Sequence, residues 1–201
     1  MSNKKKIFIG LGIVILALVI FGIYNNPDRK AGFTPQQEAY LESLGGKFQG
    51  FISQNEKVKI ITLEVVNALE ATDNRTFNNK SQQLLPEVQL LQNQLVDVRS
   101  ALAEGKVVFF DEEKMRKIFE VLDEIYQFRY EYNGKVIETA EFGSTVNFDN
   151  EKQLDKLYAL LDELDEMEDR LPELHKKLTD AFNAVDSQLA NYLAEYPFLW
   201  K

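Results

Sequence analysis

The sequence predicts an all-α protein in which an N-terminal single transmembrane helix is followed by an up-down four-helix bundle of long amphipathic helices. Two observations indicate this fold. Residues 7–24 form an uncharged apolar run, and four long stretches beyond it repeat apolar residues at helical spacing. One stretch without this spacing leaves open a small β-hairpin cap on the bundle. The expected domains are a basic N-terminus (1–6), the span (7–24), a linker (25–35) and the bundle (36–201).

The run at residues 7–24 has the length of a membrane span. As an α-helix its 18 residues cover about 27 Å, close to the thickness of the hydrocarbon core of a bilayer. Tyr24 lies where an interfacial aromatic residue is expected. A cleaved signal peptide is the alternative, but its apolar region is shorter, and the small residues of a cleavage site are missing after Phe21. We therefore expect an uncleaved signal-anchor that attaches the chain to the membrane.

The distribution of charge sets the expected orientation. The chain has 23 Lys and Arg against 32 Asp and Glu, yet Lys4, Lys5 and Lys6 directly precede the span. The positive-inside rule then places the N-terminus in the cytoplasm and the bundle outside, in a single-pass protein of the bacterial cell membrane. Because the part beyond the span is acidic, nucleic acid is excluded as a partner.

The first bundle helix is predicted from a cap and an apolar stripe. Thr34 is a suitable N-cap for a helix with Pro35 at its first position. Gly45 followed by Gly46 predicts a break or kink, after which the main helix extends over about residues 47–69.

The second helix is predicted for about residues 81–103, where steps of four and three separate the apolar residues. Polar residues between 72 and 79 are typical of the turn before it. Pro86 falls near its first turn, where proline is tolerated, and Gly105 ends it.

The third helix follows a short strand-like run at residues 107–110. We expect it to open at Asp111 and to end near Asn133 and Gly134. Residues 134–149 have the least helical pattern. They are interpreted either as a small hairpin that pairs with residues 107–110 or as an irregular loop over the end of the bundle.

The fourth helix starts near residue 149 and reaches about residue 194, with Pro172 expected to kink it or split it in two. An extended coiled coil is the alternative for this segment. A bundle is favoured because aromatic residues widen the apolar faces of the helices beyond a coiled-coil seam. These residues include Phe48, Phe51, Phe119 and Phe182.

The residue types needed for several classes of site are missing. There is no Cys, and the single histidine is His175, so thiolate sites and His-rich metal sites cannot be assembled within one chain. We interpret His175 as a helix-surface or boundary residue. We expect no cofactor, no resident metal and no catalytic residues.

The densest acidic stretch lies at residues 162–169. Carboxylates three and four apart share a helix face and suit a divalent cation, but a solvated helix face is the more common use of such a pattern. The acidic residues are Asp162, Glu163, Asp165, Glu166, Glu168 and Asp169.

The C-terminal tail is the candidate partner-binding segment. Aromatic residues with Leu at a chain end suit an interface hot spot, although the same residues could dock on their own bundle. The candidate residues are Tyr196, Phe198, Leu199 and Trp200.

The layout resembles that of LemA-type proteins, with a short basic start, one span and a helical bundle outside the membrane. Tyr24 followed by Asn25 is the local likeness. The Arg-rich stretch that follows in that family is replaced here by NPDRKAGFTPQQ. No site residue is therefore carried over from the resemblance.

Together these features predict a non-enzymatic scaffold or adaptor of the cell envelope, which acts through protein partners or self-association. A ligand- or cation-binding envelope module is the alternative. A third hypothesis is an enzyme that cleaves cell-wall carbohydrate with paired carboxylates, for which the sequence singles out no pair.

Overall fold

The computed structural model describes residues 33–110 and 112–185. Every regular element within these ranges is a helix, which confirms the predicted all-α class and the helical bundle. The helices are α1 (Pro35–Glu70), α2 (Asn74–Val108), α3 (Glu113–Gly143), α4 (Glu151–Glu168) and α5 (Leu171–Asn183). None of these five combines the length and the apolar character that a membrane crossing requires. The expected span at residues 7–24 lies outside the described ranges.

Side-chain caps set the starts of α1 and α2. At α1 the predicted cap is confirmed, because Thr34 Oγ1 accepts a hydrogen bond from the Gln37 backbone N–H (3.3 Å) and Gln37 Oε1 accepts one from the Thr34 N–H (2.9 Å). At α2 the Asp73 carboxylate accepts from the Thr76 N–H (3.0 Å). The helix therefore begins at Asn74, earlier than the sequence pattern predicts.

The predicted break at Gly45 and Gly46 is wrong, because α1 passes through both residues without interruption. Leu44 and Phe48 lie on either side of the pair, and both are buried. A glycine costs about 1 kcal/mol in a helix interior. Burying a large apolar side chain contributes about 1.5–3 kcal/mol, so packing along the whole face outweighs the local cost.

The earlier start of α2 moves Pro86 from the first turn to the helix interior. Its ring nitrogen carries no hydrogen, so the carbonyl of Gln82 has no partner at that position of the helix ladder. Pro86 is exposed, which leaves that carbonyl on the solvent side of the bundle.

The predicted helix end at Gly105 and the predicted strand at residues 107–110 are also wrong. α2 continues to Val108, and the N–H of Phe109 then donates to the Gly105 carbonyl (3.0 Å). Gly105 is buried. A Cβ atom built there would lie 2.9 Å from Phe119 Cε1 and too close to the Tyr40 hydroxyl. The glycine thus serves close helix packing and does not terminate α2.

α3 begins at Glu113, while the predicted opening residue Asp111 lies outside the described ranges. The helix does not end near Asn133 and Gly134 but continues to Gly143, so the predicted hairpin is wrong. Buried residues four apart continue the core face through this segment, which keeps it helical. They are Tyr132, Val136 and Ala140.

The loop alternative for residues 134–149 holds only for the part after Gly143, where the connection from α3 to α4 is an irregular loop over the end of the bundle. The Val146 carbonyl accepts hydrogen bonds from Asn74 Nδ2 (2.8 Å) and Asn78 Nδ2 (3.0 Å). The N–H of Phe148 donates to Asn74 Oδ1 (3.0 Å). The polar residues that suggested a turn before α2 therefore lie in its first turns and hold this loop.

The division of the last helix at Pro172 is confirmed. α4 ends at Glu168, and α5 begins at Leu171 with Pro172 in its first turn. An N–H in the first turn has no partner within the helix, so proline costs little there.

Consecutive helices run antiparallel, so the topology is up-down with the α4–α5 segment as the fourth member. In each pair of neighbouring helices, residues near the end of the first helix contact residues near the start of the second, and residues nearer the start of the first contact residues farther along the second. These contacts are Glu64–Lys80 and Tyr40–Ala101 between α1 and α2, Lys106–Asp123 and Gln92–Tyr130 between α2 and α3, and Lys135–Glu163 and Glu124–Lys177 between α3 and the α4–α5 segment.

Aromatic rings fill the space between α1 and α3. Tyr40 meets Phe119 edge to face with ring centroids 5.8 Å apart. Farther along, Phe48 and Phe51 both meet the ring of Tyr126, at 5.2 and 5.4 Å. Edge-to-face pairs at these distances add to the stability that burial alone supplies. The cavity described next is lined in part by the ring of Phe51.

Candidate functional site

A small cavity lies where α1, α2 and α3 meet the junction of α4 and α5. Its volume is about 30 Å³, enough for one or two water molecules or a single small anion. Apolar side chains from α1, α2, α3 and α5 form part of the wall, and polar side chains form the remainder. The lining residues are Phe51, Asn55, Leu91, Leu95, Phe128, Arg129, Tyr132, Asn133, Glu168 and Leu171.

Arg129 places a positive charge in the same wall as the Glu168 carboxyl, but the two groups do not form an ion pair. Its guanidinium lies over the rings of Phe51 and Tyr126, 5.6 and 5.7 Å from their centroids. No carboxylate within residues 33–110 and 112–185 forms an ion pair with it, and its Nε is enclosed without a hydrogen-bond partner. Burial lowers the pKa of Arg129. An anion in the cavity would offset this cost.

Asn133 adds a second enclosed hydrogen-bond donor to the wall of the cavity. The residue is only 3% exposed, and its Nδ2 has no hydrogen-bond partner in the described part of the chain. Asn55 in α1 is buried in the same wall. An enclosed amide N–H without a partner is costly, so the cavity favours a molecule that accepts hydrogen bonds. Water and a small carboxylate both meet this requirement.

Glu168 closes the cavity at the end of α4. The Tyr132 hydroxyl donates to Glu168 Oε1 (2.7 Å) and so joins α3 to α4. Burial raises the pKa of the Glu168 carboxyl to about 7; the hydrogen bond from Tyr132 opposes this shift, and the nearby charges of Asp165 and Asp169 reinforce it. Burial and the Glu168 charge raise the pKa of Tyr132, which therefore stays a neutral donor.

His175 lies on α5 near the same region, half-buried at the boundary position that the sequence predicts. Its Nε2 is enclosed with no hydrogen-bond partner within the described ranges. Burial lowers the pKa of His175, and the positive charge of Arg129 lowers it further. The imidazole is therefore neutral at neutral pH.

The carboxylates of the acidic stretch at residues 162–169 do not converge on a common point where a cation could bind. Asp162, Glu163, Asp165 and Glu166 are exposed along α4, and Glu163 pairs with Lys135 (2.7 Å). In the described part of the chain no three His, Asp or Glu side chains are placed to hold a metal ion.

The predicted partner-binding residues lie outside the described ranges, so their role stays a prediction. They are Tyr196, Phe198, Leu199 and Trp200.

Sequence reasoning missed Arg129 and Asn133 as a pair of interior donors. Asn133 followed by Gly134 is typical of a turn, which placed it at a helix end. A signal was nevertheless present, because Arg129 and Asn133 lie four residues apart between the apolar residues Ile125 and Val136. Such spacing puts both polar side chains on one helix face.

No family model, curated protein or solved structure matches this chain.

Proposed function

We propose that this protein is a membrane-tethered helical bundle of the bacterial cell envelope that acts, without catalysis, as a scaffold or adaptor for protein partners. The apolar run at residues 7–24 supports the tether, and Lys4, Lys5 and Lys6 before it support a cytoplasmic N-terminus with the bundle outside.

The observation that carries the adaptor function is an exposed apolar pair on α1. Ile60 and Leu63 are 59% and 39% exposed, and a three-residue spacing places them on one face of the helix. Charged residues surround the pair, with Glu56 bound to Lys59 and Glu64 bound to Lys80. An apolar centre with a charged rim is the usual anatomy of a protein interface.

Site-specific photo-cross-linking tests this function. A photoreactive residue replaces Ile60 in the full chain, and the cross-link is induced in intact membranes. The control position is Ser43, which is also exposed on α1 but lies about 100° around the helix from Ile60. We expect one protein, or a second copy of this chain, to be recovered from position 60 and to be lost when Leu63 is changed to Glu. The same products from both positions would contradict the proposal.

A small-ligand function is the second candidate, and the unused donors of Arg129 and Asn133 favour it. Both groups call for an acceptor, and the positive charge of Arg129 favours a small anion, such as a carboxylate of formate size, over a cation. Binding to the folded state alone raises the melting temperature. At 100 times the dissociation constant the gain is about 2.7 kcal/mol, or roughly 5–10 °C for a domain of this size.

A melting experiment with sodium formate tests this candidate. The control is Arg129→Met in the same buffers, since methionine fills similar space without the charge and shares any general effect of salt. We expect formate to raise the melting temperature of the wild type only. Equal shifts in both proteins, or a shift with calcium or magnesium instead, would rule out an anion site at Arg129.

A further inference from the structure

Two large apolar side chains stand exposed where α2 joins α3. Val107 is 74% exposed and Phe110 is 67% exposed, and we refer to this pair as the α2–α3 tip. Phe109 between them is fully buried, with its ring 6.0 Å from Tyr40 and 5.4 Å from Phe119. The buried ring fastens the connection to the bundle, so its neighbours are held at the surface.

The α2–α3 tip lies at the same end of the bundle as the start of α1. Gln37 Nε2 donates to the Val108 carbonyl (3.4 Å), and the ring of Phe33 lies 5.4 Å from the ring of Phe109. Phe33, the first described residue, therefore lies at the end of the bundle that presents Val107 and Phe110.

The length of the chain before Phe33 limits the distance from the tip to the apolar run. Eight residues separate Tyr24 from Phe33. Even fully extended they reach only about 30 Å at roughly 3.6 Å per residue. If residues 7–24 span a bilayer, the end of the bundle that carries the α2–α3 tip is held within about 30 Å of the lipid surface.

The cations beside the tip are paired within the bundle, while the neighbouring carboxylates of Glu112 and Glu113 are exposed. Arg116 lies 5.8 Å over the ring of Phe110 and donates to its carbonyl (3.2 Å). Both Arg116 and Lys117 pair with Glu120, at 3.9 and 3.4 Å. An acidic chain with paired cations is not attracted to anionic lipid, so a contact made here would be apolar.

We propose that the α2–α3 tip inserts Val107 and Phe110 into the interfacial region of the bilayer that residues 7–24 enter. The bundle is then held to the membrane at two points, with the opposite end, where α1 turns into α2, directed away from it. Apolar and aromatic side chains partition into this region, while the Arg116 guanidinium can remain at the water boundary. This inference rests on the proposed tether and adds a second membrane contact to it.

The absence of cysteine allows a clean test with the full chain in vesicles. Val107→Cys carries one fluorophore and keeps Phe110, and Leu90→Cys is the matched control. Leu90 is also an exposed apolar residue, but it lies about 26 Å along α2 from Val107. Quenching is measured with lipid-borne quenchers and with aqueous iodide, in phosphatidylcholine vesicles with and without phosphatidylglycerol.

We expect the label at position 107 to be quenched from the lipid and shielded from iodide, and no more strongly with phosphatidylglycerol than without it. The label at position 90 should respond only to iodide. Adding Phe110→Ser to the Val107→Cys chain should abolish the lipid quenching.

Full iodide access at position 107 in chains that resist carbonate extraction overturns the tip contact and does not contradict the proposed tether. Shielding from iodide without lipid quenching indicates a protein cover and also overturns it. Release of the chain by carbonate overturns the tether and the tip contact together.

Discussion

Replacing Gly105 by alanine tests the packing of the bundle, with Gly134→Ala as its control. Both glycines lie inside helices, but we expect the two replacements to change the stability in opposite directions. Gly105 lies inside α2 against α1 and α3, and Gly134 lies inside α3. A Cβ atom at Gly105 would lie 2.9 and 3.0 Å from the ring of Phe119 and would collide with the Tyr40 hydroxyl. A Cβ atom at Gly134 would meet nothing within 4 Å.

The expected magnitudes follow from these contacts. Alanine gains about 1 kcal/mol over glycine in a helix interior, and this is the whole expected effect of Gly134→Ala. At Gly105 the added methyl group must displace Tyr40 and Phe119, which costs about 1–3 kcal/mol. Displacing Tyr40 also weakens its hydrogen bond to the Ala101 carbonyl (2.7 Å), worth about 1 kcal/mol. We therefore expect Gly105→Ala to lose about 2 kcal/mol of unfolding free energy.

Urea denaturation of the full chain in mild detergent, followed by far-UV circular dichroism, measures both changes. The two variants should shift the midpoint in opposite directions with little change in slope. If Gly105→Ala were as stable as Gly134→Ala, the close approach of α2 to Tyr40 and Phe119 would be incorrect.

Three further changes test single features of the fold. Gly46→Ala should stabilise the protein by about 1 kcal/mol, because the glycine is inside α1 with open space around it; a loss in the same urea assay would indicate that the helix breaks there. Pro86→Ala should raise the unfolding free energy by about 1–3 kcal/mol, because it restores an N–H inside α2; no gain in thermal unfolding would contradict the interior position. Burial raises the pKa of Glu168, so the folded state binds this proton more tightly than the unfolded state. The resulting stabilisation is present below pH 4.5 and is lost as the pH rises to about 7, so wild type should lose stability relative to Glu168→Gln across that window. A constant difference across the pH series would show that Glu168 titrates normally.

The candidate cavity could be predicted only in part. The helical face that carries Arg129 and Asn133 is visible in the sequence, because the four-residue spacing depends on α3 alone. The cavity itself also needs Asn55 from α1 and Glu168 from α4, which lie far apart in the chain. No local pattern encodes that convergence. The lack of a carboxylate partner for Arg129 likewise depends on which helices pack around it.

Local sequence was sufficient to predict the helical class, the cap at Thr34 and the division at Pro172. Each of these depends on residues within about one helical turn of one another, where propensity and capping act. Packing between helices, by contrast, keeps α1 helical at Gly45 and Gly46 and extends α3 beyond Gly134. At those points a local cost of about 1 kcal/mol opposes the burial of an entire helix face, and the sum over the face is larger. Long-range packing therefore extends the helices beyond the breaks that local residues indicate.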